Sequence, residues 1–198
     1  MLERGVFWFV LALLLALVEI EIEGKFGWAE KLPTWYRKKG LFARIFRTVN
    51  PQRPLTGYHL FMQIFLVLVF HVAFFIGLSW SLRKEFELLA IILIFFSLWD
   101  FLWFVFNPAY TIKNYKKDKV WWFSKSYWIS GLFPFDYVKA AVISLILAYL
   151  AGIFVYQIEL IGLLLIFSLI SILFAPLYHK WYKKMRRRDE RKLVEIFH

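Results

Sequence analysis

The chain has 198 residues, of which 61% are hydrophobic and 22% aromatic, and it carries a net charge of +11 with no cysteine. A soluble domain is about 45–50% apolar, so this composition excludes an ordinary soluble fold. The missing thiols exclude disulfides, thiolate metal sites and cysteine nucleophiles. Cationic cytoplasmic loops of a polytopic membrane protein account for the charge, and nucleic acid is not expected as a partner.

Five apolar stretches approach the ~20 residues that a helix needs to cross a hydrocarbon core about 30 Å thick. They predict an all-α integral membrane protein with a single transmembrane domain over 1–178 and spans near 5–23, 57–80, 87–107, 137–156 and 160–178. Proline marks span ends at Pro108, Pro134 and Pro176, as its missing N–H requires. A tight hairpin at Gln157–Glu159 joins the last two spans, and Gly152 and Gly162 are read as close-packing positions within them. The first run has no cationic leader and no small-x-small cleavage site, so it is expected to be an uncleaved helix. Residues 179–198 are expected to form a basic, amphipathic cytoplasmic tail that meets anionic headgroups.

Charge sets the expected orientation. The segments 24–56, 108–139 and 180–192 hold 22 of the 25 lysines and arginines, and only Arg4, Arg83 and Lys84 fall on the other side. Under the positive-inside rule the N-terminus lies outside and the C-terminus in the cytoplasm. The first loop is too long to be structureless, so an interfacial helix is expected within it, near 33–48. The tryptophan-rich segments around Trp28, Pro33 and Trp35 and around Trp121, Trp122 and Trp128 suit an interfacial belt or a roof over a cavity.

Ionisable groups at membrane depth are expensive and need partners or a wet cavity. In the first span, Val6–Val18 is too short to cross alone, so the helix continues and carries Glu19 and Glu23, an i,i+4 pair on one face, into the inner part of the bilayer. Glu21 points elsewhere, toward the interface. The second span brings in His59 and, one turn deeper, Gln63. The third brings down Asp100, with Trp103 and Asn107 on the same face. His71, toward the other side, is read as a neutral hydrogen-bond partner.

Topology therefore gathers a carboxylate and histidine site in the cytoplasmic half of the bilayer. Asp100, Glu19 and His59 are the candidate catalytic groups, and Glu23, Gln63, Trp103 and Asn107 the candidate substrate contacts. Glu19, Glu23, His59 and Asp100 form a candidate donor set for a divalent metal, since oxygen and imidazole nitrogen donors suit hard or borderline ions. The leading reading is a membrane-embedded enzyme acting on a lipid-like or amphipathic substrate in a prokaryotic plasma membrane. The alternatives are a structural or accessory subunit bound to another membrane protein, and a proton- or cation-coupled carrier working as a homo-oligomer. A bis-histidine haem on His59 and His179 is a lesser variant of the subunit reading. Neither an HExxH motif nor the histidine box of membrane desaturases is present.

Overall fold

A computed structural model describes residues 1–49 and 53–197. Residues 50–52 of the first loop, His198, and the side chains of 49 and 188–197 lie outside that description, and with them three of the eight lysines and arginines of the expected basic tail. The described chain forms α1 (Leu2–Glu23), β1 (Tyr36–Arg37), α2 (Leu41–Val49), β2 (Leu55–Thr56), α3 (Gly57–Phe75), α4 (Leu82–Phe106), β3 (Trp128–Ile129), β4 (Phe133–Pro134), α5 (Phe135–Leu150) and α6 (Phe154–Phe197). The strands make two antiparallel pairs, β1 with β2 and β3 with β4. Among the described residues, four helices are long and apolar enough to cross a membrane: α1, α3, α4 and the 154–187 part of α6.

α4 is apolar on all sides, as a helix surrounded by others must be, and its buried residues run from Ala90 to Phe106. α1 presents a narrower stripe, with Gly5, Ala12, Ala16, Glu19, Ile20 and Glu23 buried at helical spacing. Small residues on that stripe let backbones approach; a Cβ on Gly5 would lie 2.2 Å from Leu163 of α6. α3 differs from these, with only Gly57, His59 and Leu66 of its 19 residues buried. α5 has 16 residues, about 24 Å of helix. At its start Tyr137 donates to Asp100 of α4, and just past its end the Ala151 carbonyl accepts from Arg83 Nε at 2.6 Å. It therefore runs antiparallel to α4 along most of that helix.

A polar knot fixes α4, α5 and α6 together. Ser144 Oγ donates to the Ala90 carbonyl at 2.8 Å, and Gln157 Nε2 donates to Ser144 Oγ at 2.8 Å, all three residues being fully buried. Gln157 thus belongs to the first turns of α6, and the turn lies at Ala151–Ile153 rather than at Gln157–Glu159. Gly152 makes that turn with φ +71°, so its role is conformational rather than packing within a helix. Nothing lies within 4 Å of a Cβ placed on Gly162, so that glycine marks no close contact.

Other boundaries moved for identifiable reasons. α4 starts at Leu82, five residues before the expected 87, because Ser81 caps it by accepting from the Lys84 N–H at 3.3 Å. α3 stops at Phe75, and Gly77 leaves the helical region at φ +131°. The expected helix at 33–48 shrinks to α2, since residues 36–37 pair instead with β2 at the entry to α3. Pro176 does not end a helix; it sits inside α6, which runs on unbroken for 44 residues.

Candidate functional site

The C-terminal end of α1, the N-terminal end of α3, the C-terminal end of α4 and the N-terminal end of α5 meet at one end of the bundle. A cavity of about 540 Å³ opens there. Its polar part is lined by Glu19, Glu23, His59, Gln63, Asp100 and Arg53. Trp28, Trp99, Trp103 and Trp122 close around it. The two segments expected to roof a cavity do so, through Trp28 of the first loop and Trp122–Phe123 of the second.

Glu19 and Glu23 share one face of α1, and His59 faces them from the first turn of α3. His59 Nε2 is 4.0 Å from Glu19 Oε1 and 3.7 Å from Glu23 Oε1. One donor atom from each of the three residues falls within 4.8 Å of the others. All three are buried, at 8%, 6% and 5% exposure, and among the described residues no lysine or arginine lies within 4 Å of either carboxylate. Glu21, by contrast, is exposed.

Short-range structure aims each donor. Thr56 caps α3: its Oγ1 accepts from the His59 N–H at 3.2 Å and contacts His59 Nδ1 at 2.8 Å. Trp28 and Ala29 both have positive φ, 55° and 54°, unusual for non-glycine residues. That double left-handed turn folds the loop back on α1. It brings the Ala29 N–H to Glu23 Oε1 at 2.5 Å and stacks the Trp28 indole on the His59 ring, 3.9 Å between centres and 13° from parallel. Trp28 Nε1 donates to the Pro54 carbonyl at 3.0 Å, anchoring the stack.

Asp100 lines the same cavity but stands outside the three-donor cluster. Its Oδ2 accepts from the Tyr137 hydroxyl. Gln63 and Trp103 line the cavity as expected. Asn107 does not. It ends α4, donating to the Gly24 carbonyl at 2.7 Å and accepting from the Ala109 and Tyr110 N–H groups, so its side chain is spent on tying α4 to α1. Beside this end, burial and the charge of Asp100 push the Tyr115 phenol upward, which keeps it a neutral hydroxyl.

Two other histidines lie away from the cluster, and one charge pair lies on the cavity rim. His71 engages Glu85 through Nε2 at 3.0 Å and the Val67 carbonyl through Nδ1 at 2.6 Å, and Trp80 Nε1 also donates to Glu85. His179 faces the Val105 carbonyl at 3.1 Å and is not part of the cavity lining, so it offers no facing partner for a haem with His59. Lys139 and Asp136 pair at 2.5 Å on the cavity rim, where Ser126 also donates to Asp136.

Residues that the sequence pattern did not single out complete the site. Arg53 counted there only as a loop charge, Tyr137 only as the start of a span, and Trp99 as one of many aromatics. Their signal is faint: a lone arginine next to a proline, and a tyrosine one residue after Asp136. Comparison with family models, with curated proteins and with solved structures found no match to the chain.

Proposed function

We propose that the protein is a five-span membrane enzyme that holds a divalent metal on Glu19, Glu23 and His59 and acts on an amphipathic substrate from the cytoplasmic side. The observation that carries this reading is the buried donor cluster. Two carboxylates and an imidazole within 4.8 Å of one another are costly at membrane depth unless a cation joins them. Three protein donors leave a coordination position free, the arrangement of a catalytic rather than a structural site.

A bound ion would supply Lewis acidity to a polar headgroup. The chain's own groups do the rest. Asp100, held by Tyr137, is placed to take or return a proton, and Gln63 and Trp103 offer hydrogen-bonding groups to the same space. The reaction class is metal-assisted hydrolysis or group transfer at a headgroup. A cavity with unspent buried polar groups is more than a purely structural subunit requires.

Support for five spans comes from α5. Its contacts with Asp100 at one end and Arg83 at the other run it alongside the 83–100 part of α4, about 25 Å of helix. Support for the orientation comes from the basic segments, which cluster at the cavity end of the sequence pattern.

Metal analysis of the protein in nanodiscs, after loading with Zn²⁺ or Mn²⁺ and washing, tests the reading. The expectation is about one ion per chain, lost in Glu23→Gln and in His59→Ala and kept in Asp100→Asn, which loses turnover only. A wild-type protein that retains no ion, or variants that retain it fully, would sink the proposal.

A further inference from the structure

Arg53 is a cationic group of the cavity that the donor cluster does not use. Its guanidinium carbon lies 4.4 Å from the centre of the Trp28 ring and 4.0 Å from that of Phe123, a cation–π seat that fixes the head in place. Among the described residues no carboxylate lies within 4 Å of it. Two more donors share this space. The Trp99 and Trp103 indole N–H groups are buried, at 6% and 3% exposure, and line the cavity; Trp103 has no hydrogen-bond partner, and Trp99 is turned toward Glu19 without a bond within 3.5 Å. Buried donors are normally satisfied, so two buried indoles beside a half-buried guanidinium around one cavity call for a ligand rich in acceptors. A planar, always-charged guanidinium is the side chain best matched to phosphate oxygens.

The cavity does not stop at its polar end. It continues along α4 past Phe96 and Leu93, between Val67 of α3 and Ile143 of α5. These four side chains are all apolar. The cavity's total of about 540 Å³ falls in the roughly 300–1,000 Å³ range of cavities that enclose small ligands. The site is thus acceptor-seeking at one end and hydrocarbon-like at the other.

We propose that the cavity binds a phosphate monoester carried on a hydrocarbon chain, with Arg53, Trp99 and Trp103 holding the phosphate and the arm between α3 and α5 holding the chain. This inference rests on the reading of the cavity as a substrate site and names the substrate class. It makes Arg53 a headgroup receptor rather than a counterion for the glutamates.

The test is binding of radiolabelled dodecyl phosphate to the protein in phosphatidylcholine nanodiscs. Saturable binding is expected, and inorganic phosphate at the same concentrations should not displace the probe. Arg53→Gln should weaken binding about tenfold or more, Arg53→Lys by less, and both should keep wild-type metal content and elution volume. Ile143→Trp, which fills the arm, should weaken dodecyl phosphate and leave any weak phosphate binding unchanged. Unchanged binding in Arg53→Gln overturns the inference, as does inorganic phosphate competing on equal terms. Loss of metal content in Arg53→Gln overturns it too, because that marks a counterion. The two proposals fail separately. Metal retained without dodecyl phosphate binding overturns this inference alone, and dodecyl phosphate bound without metal overturns the metal-enzyme reading alone.

Discussion

Thr56 is fully buried, and its one hydroxyl both caps α3 and meets His59 Nδ1. If Nδ1 carries the ring proton it donates to that hydroxyl, and Nε2 is left free to bind a cation facing the glutamates; with the other tautomer, Nε2–H points at them instead. Thr56→Val removes this control. Its expected effects are a 10- to 100-fold loss of metal affinity, as for other outer partners of ligating histidines, and about 1 kcal/mol of stability lost with the cap. Chelator competition and thermal melting measure the two. Ion capture also needs both carboxylates deprotonated and Nε2 bare, so affinity should rise with pH and binding should release protons; titration in a weakly buffered medium reads that release, and uptake of protons would contradict the site. At this scale the sequence was legible where a pattern forced a residue inward. Glu19 and Glu23 follow from a run too short to span, and Asp100 from its place deep in a span. Asn107 misled, because its i,i+7 spacing from Asp100 ignores that Pro108 ends the helix there and turns the side chain into a cap. Arg53 was hidden because a loop charge carries no periodicity.

Gly27 shows how tightly the loop after α1 fits the roof. A Cβ there would lie 1.8 Å from the Trp122 ring, so Gly27→Ala should displace Trp122 and cost about 1–3 kcal/mol, the usual scale of overpacking; the melting temperature of the purified protein checks it. The knot between α4, α5 and α6 is the opposite case, a polar contact in an apolar layer. Ser144→Ala removes two buried hydrogen bonds and leaves Gln157 Nε2 with only the longer one to the Ala90 carbonyl, 3.3 Å, and a loss of about 1–3 kcal/mol is expected. Gln157→Leu in the same background should recover part of it. Helices with strong apolar runs were legible along most of their length. Their ends were not, since Ser81, Gly77 and the Gly152 turn act through backbone geometry that hydropathy does not register. The folding of 24–56 into a short helix and a strand pair was beyond reach for the same reason.

Across the whole molecule, the proposed orientation can be read directly, because the chain has no cysteine and every introduced thiol is unique. Lys38→Cys should react with an impermeant maleimide only from the cytoplasmic side, and Ser79→Cys only from the outer side; the reverse pattern would invert the topology and put the cavity on the outer face. The convergence of α1, α3 and α4 at one end was legible from alternating charge alone, while the contribution of α5 needed coordinates. The sparse packing of α3 has a mechanical consequence. Two donors sit on α1, which is seated along a continuous stripe, and the third sits on α3, which buries only three of its 19 residues and otherwise meets its neighbours through Phe70 and the His71–Glu85 contact. An ion joining them would latch one wall of the cavity to another, so part of the free energy of ion capture would go into holding that wall in place. Stripping the ion should speed amide exchange along α3 and leave α4 protected. On the proposed reading, an ion held by Glu19, Glu23 and His59 would then also fasten α3 to α1 beside the cavity.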